Sequence, residues 1–503
     1  MVVFSEECPF FRGETKPGGN NAMSDDAAPW ELTAFSPVDG RSAQLQHTAQ
    51  ITARIDRLPA CRSTWMPVVL VSLAAIFELY DLFQTAYIPP GLVRDGIFRT
   101  GSGGFLGQSD QATFAAATFF GLFLGAIGFS SIADRFGRRR IFVWALLAYS
   151  AATALLAFQS TALGIDLCRL LAGIGLGVEL VTIDAYIVEI VPKHMRGRAF
   201  ALNHFVEFCA VPILAFLAWL LIPRSPFGIS GWRYVVLLGS AGALFVWWIR
   251  RGLPESPRWL AQHGHLPEAR RIVEAMEVKA ERETGRPLAS PSQGTPESPY
   301  RASLAEIWKP PYARRTLMLM VFNFFQTIGF FGFTNWLPTL LATQGQSFSK
   351  SLFYSFCIAF ANPLSALFWS VTVAERFERK WLIVAAAAGV AVCGPLFAVV
   401  SGPALLVAIG ILITAFSILL SLSYHPYQAE LYPTQLRARA VGFVYSFSRI
   451  STALTSFLVA FFLQNFGTAG VFGLISASML IIVLSIGIFG PPTRGLALED
   501  ISH

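Results

Sequence analysis

Five carboxylates and one guanidinium stand where water is scarce. Glu78, Asp81, Glu179, Asp184 and Glu207 lie inside long apolar runs of the first half of the chain, and Arg449 is the only cation well inside those of the second. An acid near a bilayer centre costs roughly 2.5–3.5 kcal/mol on insertion scales, so such residues usually mark ion or proton pathways. Glu78 and Asp81 stand at i and i+3 and share one helix face. Two carboxyls that close readily hold a proton between them. A buried guanidinium can grip a carboxylate through two parallel hydrogen bonds. The chemistry these residues suggest is proton coupling at Glu78, Asp81, Glu179 and Glu207, with recognition of an organic anion at Arg449. The plainer alternative is an ion pair that serves assembly alone, and it applies to each acid and to Arg449. No nucleophile–base pattern, metal-ligand spacing or phosphate-binding loop is present, so neither an enzyme nor a cofactor or metal is expected. The six cysteines are scattered without paired spacing, which supports neither a disulfide framework nor a zinc site.

The elements that must hold these residues follow from composition. Of 503 residues, 54% are hydrophobic and only 14% are charged. A soluble domain carries about 25% charged residues, so most of this chain does not face water. Runs near twenty residues long, the length of helix that crosses a bilayer core, fall at 65–92, 111–133, 141–160, 166–191, 199–222, 232–251, 314–341, 352–373, 381–400, 404–428, 441–465 and 469–490. Barrel strands alternate in polarity and are too short to explain them. The expected fold is an all-α membrane protein of twelve transmembrane helices in two six-helix bundles. The net charge of +7 does not point to nucleic acid, because the arginines and lysines concentrate in alternate loops. Positive loops stay cytoplasmic, so both termini are placed inside. Residues 1–62 are polar and lack a signal-peptide pattern, and are expected to be a disordered cytoplasmic N-terminus. The bundles are expected at 63–251 and 314–490, with a cytoplasmic linker at 252–313 and a cytoplasmic tail at 491–503.

Two stretches occur twice. Ala133-Asp134-Arg135-Phe136-Gly137-Arg138-Arg139 returns as Ala374-Glu375-Arg376-Phe377-Glu378-Arg379-Lys380, and Glu189-Ile190-Val191-Pro192 with Arg196 returns as Glu430-Leu431-Tyr432-Pro433 with Arg437. Both copies are 241 residues on (134 to 375, 189 to 430), the mark of a parallel repeat in a transporter. The first loop resembles the signature of the major facilitator superfamily, although Ser130 stands where the family usually has glycine and Glu378 replaces the turn glycine of the second copy. Arg169, followed by Gly173, Gly175 and Gly177, is similar to that family's fourth helix, with Glu179 or Asp184 as a candidate partner for the arginine. The resemblance implies transport by alternating access. In it Asp134, Arg135, Gly137, Arg138, Glu189, Arg196, Glu375, Arg376, Glu430 and Arg437 would form a conformational latch at the cytoplasmic face.

Finer features narrow the branch. Pro254-Glu255-Ser256-Pro257-Arg258-Trp259-Leu260 resembles a motif shared by sugar porters, organic-ion transporters and aromatic-acid symporters. Trp336-Leu337-Pro338-Thr339-Leu340, and Glu78-x-x-Asp81, look more like the aromatic-acid and nicotinate transporters. Arg449, seven residues after Gly442, resembles the organic-anion branch. The fifth span lacks the glycine–proline pattern of drug/proton antiporters. The expectation is a proton-coupled importer of a small aromatic carboxylate in a cell membrane, the bacterial inner membrane, acting as a monomer. Arg449 would hold the carboxylate, with Tyr80, Gln326, Trp336 and Tyr445 around the ring; Phe330 and Phe331 are further candidates. His204 reads as a solvated residue near the cytoplasm. A sugar or polyol porter, or a non-transporting membrane sensor on the same scaffold, are the other readings.

Overall fold

A computed structural model describes residues 37–99, 109–136, 138–250, 253–291, 303–372 and 377–493; of Asp134, Arg135, Arg138 and Asp184 it describes the helical backbone alone. Gly137, Glu375 and Arg376 lie outside the described residues, so six of the expected latch residues have no described side chain. All regular structure among the described residues is helical.

Each expected span falls on helix. The first half contains α2 (Arg62–Tyr87) and the short α3 (Pro89–Arg94), then α4 (Asp110–Phe136), α5 (Arg138–Leu156), α6 (Ala162–Ile190), α7 (Arg196–Phe208) running into α8 (Ala210–Leu221), and α9 (Gly231–Arg250). The second half repeats the pattern. It runs α12 (Tyr312–Thr334) into α13 (Leu337–Thr343), α14 (Phe348–Ala359) into α15 (Ala361–Thr372), then α16 (Arg379–Val399), α17 (Pro403–Glu430) and α18 (Thr434–Phe489). The last two expected spans lie within α18, which turns at Gly467 with φ 64°, a left-handed conformation that glycine adopts without a Cβ clash. Seven described helical segments are, by length and composition alone, apolar enough to cross a bilayer. Large apolar side chains such as Trp144, Phe158, Leu163, Val371 and Val399 stand exposed on the outside of the bundle. An apolar outer surface of this kind suits lipid contact rather than water.

Within the first half, α4 and α6 pack backbone against backbone. A Cβ at Gly125 would stand 2.0 Å from the Ile174 carbonyl oxygen, and one at Gly177 would stand 2.2 Å from that of Leu122. Lipid offers no hydrophobic drive to bring helices together, so close approach through small residues supplies the van der Waals contact instead.

The two halves meet along α4 and α18, along α8 and α14, and along α7 and α15. Many of the side-chain contacts between them gather at the ends of the helices away from the arginine-rich loops. Thr339 Oγ1 donates to Gln111 Oε1 at 3.0 Å, Arg94 lies over the ring of Phe348, and Trp219 packs on Phe353 and Phe356. Phe119 and Phe331 meet deeper, with ring centroids 4.8 Å apart.

Residues 37–56 form a helix, α1 (Pro37–Asp56), within the stretch expected to be disordered. Ile51 and Ile55, one turn apart, are buried with Trp259 and Leu260 of α10 (Pro257–Gln262) and Ala269 and Val273 of α11 (Leu266–Thr284). Arg54 and Arg57 both donate to Glu277 of α11, at distances down to 2.6 and 2.7 Å. Burial pushes the Glu277 carboxyl up, but these bonds and charges outweigh it and hold the group below its ordinary value. Glu277 lies on the linker, far along the chain, so its partnership with Arg54 and Arg57 left no mark on the local sequence of α1.

Candidate functional site

Two sets of charged residues lie inside the bundle, and they differ in how much water reaches them. The first is sealed. Asp81 of α2 is 1% exposed and Arg169 of α6 is 0% exposed. Arg169 Nη1 donates to Asp81 Oδ2 at 3.1 Å, and its Nη2 donates to the Asp81 backbone carbonyl. Thr153 of α5 donates to both carboxylate oxygens, at 3.1 and 3.2 Å. The guanidinium also stands over the ring of Phe114 on α4, 5.3 Å from its centroid. Four helices therefore converge on one ion pair. The ionic partner of Arg169 is Asp81, from a distant helix, where the spacing within α6 had offered Glu179 or Asp184. Glu78 and Glu179 are buried as well, at 2% and 0%.

The second set is open. Arg449 and Tyr445 of α18 are half-buried, and His425 of α17 is exposed. The Arg449 guanidinium lies 5.0 Å from the Tyr445 ring centroid, His425 lies 5.9 Å from the same ring, and the tilted ring of the buried Tyr424 lies 4.0 Å from that of His425. The first half contributes from α7. His204, with a side chain 34% exposed, is 3.4 Å from Glu207, which also accepts from Asn203 Nδ2 at 3.4 Å. His204 of the first half and Arg449 of the second both lie within electrostatic reach of His425. His204 stands eight residues into α7, about 12 Å along it at 1.5 Å per residue. The His204–Glu207 pair thus sits about two turns into α7 and is partly exposed.

The remaining expected contacts are not in this open set. Tyr80 is 4% exposed and donates its hydroxyl to the Val235 carbonyl of α9 at 3.0 Å. Trp336 is 3% exposed, within the apolar core of the second half. Gln326 is buried at 8%. Phe331 packs on Phe119 at the meeting of the halves. Missing from the expected set were Tyr424 and His425; the signal for them was a histidine directly before Pro426 inside a span.

At the loop-rich end the duplication is visible in the bonds. Arg196 Nε donates to the Val191 carbonyl at 3.4 Å, and Arg437 Nε donates to that of Tyr432 at 3.3 Å. Arg379, from the second loop motif, forms an ion pair with Glu430 at the end of α17. Glu378, which replaces the turn glycine, accepts from the Thr493 N–H at 2.9 Å. In the first half Asp56 of α1 collects Arg258 at 2.9 Å, Lys193 at 3.5 Å and Arg196 at 3.9 Å. Burial lowers the Arg258 guanidinium from its ordinary value, the like charge of Arg196 adds to this, and Asp56 and Glu189 oppose it. Arg196 thus meets a partner from α1, a helix no motif had indicated.

Comparison with known families bears on this arrangement. The family described as sugar (and other) transporter matches residues 68–503. The chain belongs to that family, within the major facilitator superfamily. Among curated relatives, the putative metabolite transport protein YyaJ of Bacillus subtilis is 30% identical over 88% of this chain and 95% of its own. The niacin transporter NiaP of Acinetobacter baylyi is 27% identical over 90% of this chain and 99% of its own. The 4-hydroxybenzoate transporter PcaK of the same organism is 26% identical over 82% and 88%. A crystal structure of a D-xylose–proton symporter superposes with a TM-score of 0.68 at 18% identity, covering 86% of this chain and 99% of that one. The chain is therefore a multi-pass membrane transporter of small molecules and not an enzyme.

Proposed function

We propose that this transporter carries out proton-coupled uptake of a small aromatic carboxylate by alternating access, in the bacterial inner membrane with both termini cytoplasmic. The observation that carries the substrate class is the half-buried guanidinium of Arg449, which lies over the ring of Tyr445, with the exposed His425 on that same ring. Relatives named for niacin and 4-hydroxybenzoate transport support the same class.

The substrate carboxylate takes two N–H donors from Arg449, and its ring lies against Tyr445. The coupling proton goes to Asp81. Protonation removes the carboxylate charge and weakens the bond to Arg169, which otherwise ties α2 to α6. The freed guanidinium then favours a different packing of those helices, and the halves rock about the contacts that join them. Glu207, 3.4 Å from His204 of the same helix, is a second holder of the proton. The pair at the loop-rich end, Arg379 with Glu430, biases one end state; Arg138 and Glu189 hold the equivalent positions in the first-half sequence.

The test is thermal unfolding of the purified protein and of Arg449→Ala against aromatic carboxylates, their amides and simple sugars. A ligand at about 100 times its dissociation constant adds about 2.7 kcal/mol to stability. Carboxylates alone should raise the unfolding temperature, and the variant should lose that rise. Stabilisation by sugars, or by carboxylates equally in the variant, would move the site and favour a sugar or polyol porter.

A further inference from the structure

We infer that His425 is a specificity-determining residue that selects ring carboxylates carrying a hydrogen-bond donor, such as a phenolic hydroxyl, over rings without one. The inference rests on the assignment of Arg449 as the carboxylate anchor. Three observations carry it. First, His425 Nδ1 is 2.8 Å from the Ser421 carbonyl. A carbonyl oxygen only accepts, so Nδ1 must carry the hydrogen. In the neutral ring this leaves Nε2 as an acceptor, with no choice of tautomer. Second, His425 is exposed beside the half-buried Tyr445 that also carries Arg449, so its unbonded edge is open to a ligand held there. Third, His425 and Arg449 flank one ring, that of Tyr445, at 5.9 and 5.0 Å. They can be no farther apart than those two distances laid end to end, a gap that one substituted aromatic ring can bridge.

The backbone around His425 fits the same role. Pro426 lies inside α17 and has no N–H, so the Leu422 carbonyl loses its ladder donor. A break of that kind at membrane depth is tolerated where the helix lines a polar space. The buried Tyr424 backs the ring further, its own ring 4.0 Å from that of His425 and 5.0 Å from that of Phe322. A neutral imidazole so held accepts from an O–H and offers nothing to a pyridine nitrogen, which is itself an acceptor.

The experiment measures dissociation constants of 4-hydroxybenzoate, benzoate and nicotinate for the purified full-length protein, its His425→Phe and His425→Gln variants, and Arg449→Ala. In the wild type, 4-hydroxybenzoate should bind about three- to tenfold tighter than benzoate, the worth of one hydrogen bond. His425→Phe should bring that ratio to about one, and His425→Gln, which keeps an acceptor, should restore part of it. A ratio unchanged in His425→Phe, or nicotinate favoured over 4-hydroxybenzoate in the wild type, would overturn the inference while leaving the anchor intact. Equal weakening of all three ligands by both His425 variants would assign the residue to helix packing and also overturn it. Failure of every aromatic carboxylate to bind the wild type would instead overturn the anchor reading itself.

Discussion

Asp81–Arg169 and the Arg449 cluster are both built from a cation inside a membrane bundle, yet they solve opposite problems. Arg169 has its counter-charge, a threonine and a ring around it, and no water. Arg449 is left half-open, with aromatic rings beside it. A sealed pair stores a choice between two packings, because removing one charge leaves the other stranded. An open cation stores a vacancy for an anion. Sequence polarity alone does not distinguish the two, since both are charges in apolar runs; the difference is how many helices close around each.

The largest expected effect tests the sealed side. Arg169→Ala leaves Asp81 buried and uncompensated, a change that typically costs about 3–5 kcal/mol. Arg449→Ala should change the unfolding temperature of the unliganded protein by far less, as measured by thermal unfolding in one detergent. Equal losses would erase the distinction. Next in size is the link between pair and packing. Gly125→Val drives side-chain atoms into the Ile174 carbonyl and should cost about 1–3 kcal/mol or more, by the same measurement. A neutral result would mean that α4 and α6 separate without penalty.

Function gives the third comparison. Asp81→Asn should abolish accumulation driven by a proton gradient in proteoliposomes while substrate exchange at equal concentrations continues. Accumulation with full pH dependence would place the proton elsewhere, with Glu207 the next residue to change. The smallest effect is expected at the periphery. Glu277→Gln weakens the hold of Arg54 and Arg57 and should speed tryptic cleavage within α1, with little effect on transport. Because the Glu277 carboxyl sits below its ordinary value in the folded protein, its stabilising contribution is full above that ordinary value and fades as acid titrates it below. Cleavage within α1 by an acid-active protease should therefore quicken in the wild type as the pH of the digest is lowered through that range, and Glu277→Gln should show a weaker dependence.

Much of the architecture was readable from the chain because lipid imposes one rule: apolar runs of sufficient length become helices. The repeat at 241 residues then paired the halves, and the matching bonds of Arg196 and Arg437 show the same offset. The site was less legible. Helices that are apolar all round give no periodic signal of which face turns inward, so Tyr80 and Trp336 looked as available as Tyr445. Arg169 lies 88 residues from Asp81, and no local pattern joins them. The helix α1 escaped because Ile51 and Ile55 sit in a polar stretch and find their partners only on the linker.

The backbone contact between α4 and α6 has a mechanical consequence. Two helices locked carbonyl to glycine cannot slide past each other, so they act as one stiff plank. That plank carries Arg169 partway along one edge and Gln111 at the tip of the other. A tilt begun at the ion pair therefore has no slack to dissipate into, and it arrives as leverage at Gln111 and Thr339. The hinge of the transport cycle must then lie outside the plank, at the rim where one half leans on the other.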